Sequence, residues 1–195
     1  MKHIFWLLLV CTLATTSCNR TPKVIDPASA AAVKVQVDIL RDTVQARWTE
    51  MVSSDDAKLQ DLRHVLTALE GQPGTNRAQL RDLQRANSRL KTLRYDQTTM
   101  AESARIDAYD TAQDSLMKVV YQLALPAGRE PAPAVKTLTD RIQDADVSLI
   151  SFRVRYDQAA TRFNNYLQVH ATELAQLGGQ YSKLKPLPVF TLPVK

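Results

Sequence analysis

The stretch AVKTLTDRIQDADVSLISFRVRYDQAATRFNNYLQVHATELAQL, residues 134–177, decides the fold class. It contains neither glycine nor proline, and a proline inside a helix would cost about 3 kcal/mol. Its apolar and aromatic residues follow steps of three and four, which is the period of one helix face and not of a strand. They are Val135, Leu138, Ile142, Ala145, Leu149, Phe152, Tyr156, Ala159, Phe163, Tyr166, His170, Leu174 and Leu177. The stretch therefore predicts one long amphipathic helix.

Two further blocks without chain breakers precede it, Ala28–Glu70 and Thr75–Leu125, joined by GQPG (71–74) and PAGREPAP (126–133). As helices, all three would be roughly 65–75 Å long. Matched lengths predict an all-α fold, an antiparallel up-and-down bundle of three long helices over residues 28–178. The run Ser53–Asp56 resembles a helix N-cap, so the first helix kinks or breaks there, and a break would give four helices.

The middle block also carries a row of alanines, which would let another helix approach closely. If the chain reverses at 126–133, this row lies opposite large aromatic side chains, and large against small packs well. The alanines are Ala101, Ala104, Ala108 and Ala112, and the aromatics are Phe152, Tyr156 and Phe163.

The N-terminal stretch, MKHIFWLLLVCTLA, has the features of an export signal. A positive start precedes an apolar run of roughly 11 residues, the length of a signal-peptide core, whereas a bilayer span needs about 20. Small residues then lead to Cys18, and this end resembles a bacterial lipoprotein signal, in which the cysteine is acylated with palmitate-type chains. An ordinary secretory signal with an incidental cysteine is the alternative.

The lipoprotein interpretation predicts a signal peptide at 1–17 and a lipidated tether at 18–27. Loss of Lys2 changes the formal charge from +5 to +5 − 1 = +4. Because Asn19 and not Asp follows Cys18, enteric-type sorting predicts the outer membrane, facing the periplasm of a bacterial envelope.

The last block resembles the signature helix of the LemA family. The resemblance lies in Asp146, Leu149, the stretch RVRYDQAATRFN (153–164) and LAQLG (174–178), with Trp48 and Asp61-Leu62 earlier in the chain. The chain departs from the family at 59–60, where a double arginine is replaced by Leu-Gln, and at 63–66, where Arg-His-Val-Leu replaces Ile-Pro-Asn-Leu. The resemblance implies a membrane-anchored up-and-down helical bundle. It implies no reaction, because the family has no settled activity.

Polar residues recur within the signature helix at spacings that place them on neighbouring faces. They either form a recognition patch or set the register of the helix against its neighbours. They are Asp146, Arg153, Tyr156, Asp157 and Asn164. Asn87, on the seam of the middle block, is a further register-setting candidate.

A row of arginines is the most unusual charge feature: Arg77, Arg81, Arg85 and Arg89, offset locally only by Asp82. It either grips anionic lipid, lipopolysaccharide phosphates or an acidic partner helix, or it is a solvated face paired with nearby carboxylates. Those carboxylates would be Asp55, Asp56, Asp61 or Glu70.

No motif predicts a reaction. Cys18 is the single cysteine left after residue 17, His64 and His170 are the remaining histidines, and neither a nucleophile elbow, a phosphate loop nor metal-ligand spacing occurs. We therefore expect no enzyme, no catalytic residue, no cofactor and no metal, and export argues against nucleic acid.

The predicted function is a lipid-anchored scaffold, held in the membrane through Cys18, that binds other envelope proteins. A small-molecule or metal-binding bundle and a periplasmic holdase are the alternatives. The tail 179–195 is Pro-rich and too apolar to be idle, so it either folds back over the end of the bundle or docks on another protein.

Overall fold

The protein is seen in a computed structural model that describes residues 29–73, 75–128 and 130–190. The predicted signal peptide, Cys18, the tether before residue 29 and the last five residues lie outside this description. All regular structure in the described ranges is helical, so the predicted all-α class is confirmed. The helices are α1 (Ala30–Glu70), α2 (Arg77–Leu93), α3 (Ser103–Ala124), α4 (Pro133–Val169) and α5 (Ala171–Leu177), with single 3-10 turns at Thr99–Ala101 and Tyr181–Lys183.

Helix α1 is continuous over 41 residues, about 60 Å. Its start is capped by Ser29, whose Oγ accepts the N–H of Ala32 at 3.2 Å. The expected alternative of a break at Ser53–Asp56 is wrong. Asp55 does not cap a new helix, because its carboxylate is engaged by side chains from two other segments, Arg94 and Tyr109.

The middle block, expected as one helix, is interrupted between α2 and α3. Asp96 makes the interruption: its Oδ1 accepts the N–H groups of Thr98 and Thr99 at 2.8 and 2.7 Å, and its own N–H donates to the Thr99 hydroxyl. Such local side-chain bonds compete with helical ones. Tyr95 and Met100 are buried on either side and fix the turn. The three-helix prediction is therefore wrong at this block, and four main helices result.

Helix α4 runs antiparallel to α1 along most of its length. The contacts pair Trp48 with Tyr156, Lys58 with Asp146 and Asp61 with Arg141. Residue numbers along α1 therefore increase in the direction in which those along α4 decrease. Helix α2 also runs antiparallel to α1, whereas α3 runs parallel to it. Three helices, α2, α3 and α4, therefore surround the second half of α1, while its first half packs on α4, α5 and the C-terminal residues.

Only Ala112 of the alanine row packs against the core. Ala101, Ala104 and Ala108 are exposed, because α3 turns Tyr109, Leu116 and other larger residues inward. Larger side chains remove more apolar surface from water than alanine does, so this orientation is favoured.

After α5, Gly178 and Gly179 take φ values of 64° and 55°, a region that favours glycine, and reverse the chain. The C-terminal segment, defined here as residues 184–190, then runs in extended conformation along α4. It does not cover the end of the bundle, as one interpretation of the tail expected. Among the described helices, none has the length and apolar character that crossing a bilayer requires.

Candidate functional site

A polar core lies where the four helices meet, centred on Asp55 of α1, which is only 8% exposed. Its carboxylate accepts hydrogen bonds from the Tyr109 hydroxyl, from Gln113 Nε2 at 3.0 Å and from Arg94 at 2.8 Å. Three side chains from two other segments, α3 and the end of α2, therefore converge on one buried charge. A buried carboxylate is tolerated only when it is paired and hydrogen-bonded in this way.

Lys58, one helical turn after Asp55, is the second buried charge, at 2% exposure. Its Nζ donates to Gln113 Oε1 at 2.6 Å and to Asp146 Oδ1 at 3.1 Å, and lies 3.9 Å from Asp55. Asp146, a predicted site residue on α4, thus belongs to the polar core. The charges of Asp55 and Asp146 balance those of Lys58 and Arg94.

The pKa values of three groups in or beside the polar core, Tyr109, Arg94 and Asp56, are shifted. Burial, reinforced by the charge of Asp55, raises the pKa of Tyr109, so its hydroxyl remains a donor. Burial alone would lower the pKa of Arg94, but its bonds to Asp55 and Asp56 outweigh this and raise it. For Asp56, burial is likewise outweighed by Lys91 and Arg94, and the pKa is lowered.

An aromatic cluster adjoins the polar core on the side of the α1 N-terminus. It comprises Trp48, Tyr95, Tyr109, Tyr156 and Phe190, which meet edge to face at centroid distances of 5.3 to 6.2 Å. A cavity of about 20 Å³ beside this cluster has room for one water and no more.

Arg153, another predicted site residue, connects the aromatic cluster to α3. Both oxygens of Asp110 lie 2.8 Å from its Nη2, the Tyr95 hydroxyl lies 3.2 Å away, and its guanidinium stands 5.0 Å from the centre of the Phe190 ring. It therefore joins the α2–α3 turn, α3 and the C-terminal segment.

The other predicted polar residues of α4 hold the C-terminal segment by its backbone. Asn164 bonds both the N–H and the carbonyl of Leu187 at 2.8 Å, as the edge of a β-strand would. The Tyr156 hydroxyl donates to the Pro188 carbonyl at 3.1 Å, and Asp157 accepts the N–H of Phe190 at 2.8 Å. All five candidates on α4 thus contact other parts of the same chain.

Two of the side chains that hold the C-terminal segment by its backbone, Tyr156 and Asp157, have shifted pKa values. Burial, with a contribution from Asp157, raises the pKa of Tyr156 to about 12. Burial also raises the pKa of Asp157, although the Phe190 N–H and Arg153 act in the opposite direction. Asp157 is therefore the carboxylate on α4 whose ionisation works against its surroundings.

The arginine row lies on the exposed side of α2, and its expected pairing with Asp55 and Asp56 is made by the two basic residues that follow it, Lys91 and Arg94, and not by the four arginines themselves. Asp55 and Asp56 pair with Arg94, Asp61 pairs with Arg141, and Glu70 accepts a hydrogen bond from Gln84. Within the row, Arg85 pairs with Asp82, whereas the side chains of Arg77, Arg81 and Arg89 have no carboxylate partner among the described residues.

Several residues that matter in this region were missed from the sequence. Asp55 and Lys58 occupy seam positions three and four residues from apolar neighbours, and charged residues at such positions were a usable signal. No comparable signal in the sequence marks the roles of Gln113, Arg94 and Tyr95, because those roles depend on which helices meet. In the described ranges, no group of three or more histidine, cysteine or acidic side chains is arranged to hold a metal ion.

No protein-family model matches the chain, and no curated protein or solved structure shows significant similarity to it.

Proposed function

We propose that the protein is a membrane-anchored envelope lipoprotein of the LemA type, a non-enzymatic helical scaffold that binds other envelope proteins through its exterior. The anchor would be Cys18, and the outer membrane facing the periplasm is the proposed location. The family assignment rests on the signature in residues 146–178.

The internal pairing of the polar residues supports a scaffold. The charged groups of the polar core bond to one another, and the polar residues of α4 bond to the C-terminal segment. Such satisfied interior contacts fix one arrangement of the helices. Recognition would then use the outer faces.

An apolar row on the exterior of α4 is the observation that carries the proposed protein contact. Val147, Ile150 and Val154 are 71%, 71% and 43% exposed and follow helical spacing. Side chains of this kind, clustered on one face, are typical of protein contacts.

Photocrosslinking in intact envelopes tests this contact. A photoreactive amino acid at Ile150 should give discrete crosslinked species. The same group at Val169, which is 74% exposed but isolated from the row, should not. Equal patterns from the two positions would contradict the proposed interface.

Mass spectrometry tests the anchor separately. The mature N-terminus should be Cys18 carrying acyl chains, and Cys18→Ser should release the protein from the membrane fraction. An unmodified Cys18 thiol, or cleavage at another position, would remove the anchor from the proposal.

A further inference from the structure

The positive charge of α2 and the adjoining part of α1 is concentrated on one surface. We define this basic face as Arg63, Arg77, Arg81, Arg85, Arg89 and Lys91, all of which are exposed. Only Arg85 and Lys91 have carboxylate partners within the described chain, Asp82 and Asp56. On other surfaces, Arg47, Arg105, Arg141 and Arg153 pair with carboxylates, whereas Arg155 and Arg162 do not in the described ranges.

The basic face contains two adjoining depressions. A groove of about 500 Å³ between α1 and α2 is lined by Arg63 and Lys91, by serine and amide side chains, and by one carboxylate, Asp56, which pairs with Lys91. A shallower depression of about 420 Å³ is lined by Arg81, Arg85 and Arg89. Ser88 lines both, so they form one continuous surface.

A buried amide also borders the groove. Asn87 is 6% exposed, and its Nδ2 donates to the Leu59 carbonyl at 2.9 Å, while its Oδ1 has no hydrogen-bond partner in the described chain. The linings therefore combine guanidinium, ammonium, hydroxyl and amide groups with the carboxylate of Asp56, whose charge is offset by Lys91 and Arg94. Guanidinium groups match phosphate oxygens in geometry as well as in charge.

The layout of the arginines favours an extended anionic surface over a single small ion. Arg81, Arg85 and Arg89 follow one another at intervals of about 6 Å along α2 and lie within about 80° around it. A row parallel to a helix axis contacts a planar surface along its whole length only when the helix lies parallel to that surface. Leu80 and Leu90 of α2 are buried in the core, and Leu93, which is 46% exposed, is the one large apolar side chain at the end of the row, so the contact would be mainly electrostatic.

We propose that the basic face binds the phosphate groups of an anionic lipid bilayer, with α2 lying along the bilayer surface. Helix α2 packs on the second half of α1, roughly 45–60 Å along that helix from its start, so the bundle would lie along the bilayer when both the proposed anchor at Cys18 and the basic face are engaged. The test uses protein without lipid, so that failure of the anchor and failure of the basic face can be distinguished.

The experiment measures partitioning of a Cys18→Ser chain, from residue 18 to 195, onto vesicles. Vesicles of phosphatidylcholine alone are compared with vesicles that also contain phosphatidylglycerol, at low and at physiological ionic strength. Binding should require phosphatidylglycerol and should weaken with salt. The triple variant R81A/R85A/R89A should lose about 100-fold in partition coefficient, since each basic residue at such a surface contributes roughly fivefold.

A matched control removes the same charge elsewhere. Lys118, Arg162 and Lys183 are exposed and form no ion pair in the described chain, so K118A/R162A/K183A should keep most of the binding. R81K/R85K/R89K should keep most of it as well, because charge is retained. Circular dichroism should show unchanged helicity and thermal midpoint for all three variants.

The proposal would be overturned by no binding to anionic vesicles, by equal losses in the two alanine variants, or by binding of an acidic protein in place of vesicles. Two further results would also overturn it, because they would indicate a defined anion pocket and not a lipid surface. These are a loss in R81K/R85K/R89K as large as in R81A/R85A/R89A, and binding of soluble tripolyphosphate without binding of vesicles.

Discussion

Replacing Phe190 by alanine should detach the C-terminal segment from the bundle. Phe190 is 8% exposed, with ring centroids of Tyr95 and Tyr156 at 5.9 and 5.8 Å and the Arg153 guanidinium at 5.0 Å. Removing a buried phenylalanine costs about 3–5 kcal/mol, of which aromatic pairing and the cation–π contact supply part. Because the segment is extended and belongs to no helix, it can peel away from α4 instead of leaving a cavity. We therefore expect about 3 kcal/mol, or roughly 6–12 °C in thermal midpoint.

Urea unfolding measured by two signals tests this effect. Far-ultraviolet circular dichroism follows the helices, while tryptophan emission follows Trp48, which is the single tryptophan after residue 17 and packs against Tyr156 at 5.3 Å. In F190A, the emission should change at lower urea than the dichroism does, because the aromatic cluster opens first.

The half-buried neighbour Val189 supplies the control, since V189A should cost about 1 kcal/mol or less. Deleting residues 184–195 should cost at least as much as F190A. A loss below about 1 kcal/mol in F190A with unchanged Trp48 emission would refute the idea that Phe190 fastens the segment, since full burial predicts more.

Three further predictions concern the polar contacts. Lys58→Met should lower the free energy of unfolding in chemical denaturation by about 3 kcal/mol, because it removes one partner from a buried network. D146A should lower it by less than about 1 kcal/mol, since that carboxylate is 44% exposed. Equal losses in the two variants would contradict this. Asn164→Ala should cost about 1–3 kcal/mol and speed amide exchange at Leu187, because both backbone bonds lose their partner. Burial raises the folded-state pKa of Asp157, so stability from this group is full below its unfolded pKa and is lost as pH rises through the folded one. Asp157→Asn should therefore gain stability relative to the wild type as pH rises from the acid range to neutrality, and a difference independent of pH would exclude this.

Local sequence patterns predict the helical class and most of the two longest helices, although the third block, expected as one helix, is divided at His170 into α4 and α5. Unbroken seams and the absence of glycine and proline predict α1 and α4, because the helix period and the cost of breakers act within a few residues. The apolar composition of the tail also predicts that residues 184–190 pack against another surface, either on the bundle or on another protein. Exposure of the arginine row followed equally from local pattern, since the seam of α2 runs along its other side.

Where the helices break and which side chains pair in the polar core depend on long-range packing. The turn after Leu93 contains no glycine or proline, and its Asp96 cap prevails only because Tyr95 and Met100 are buried around it. Likewise, several basic side chains could pair with Asp55 as far as the sequence shows, and the packing of the helices places Arg94 against it. Local propensity acts between neighbours in the chain, whereas the choice of a buried partner depends on which distant segments are brought within hydrogen-bond range, and no short-range pattern encodes that choice.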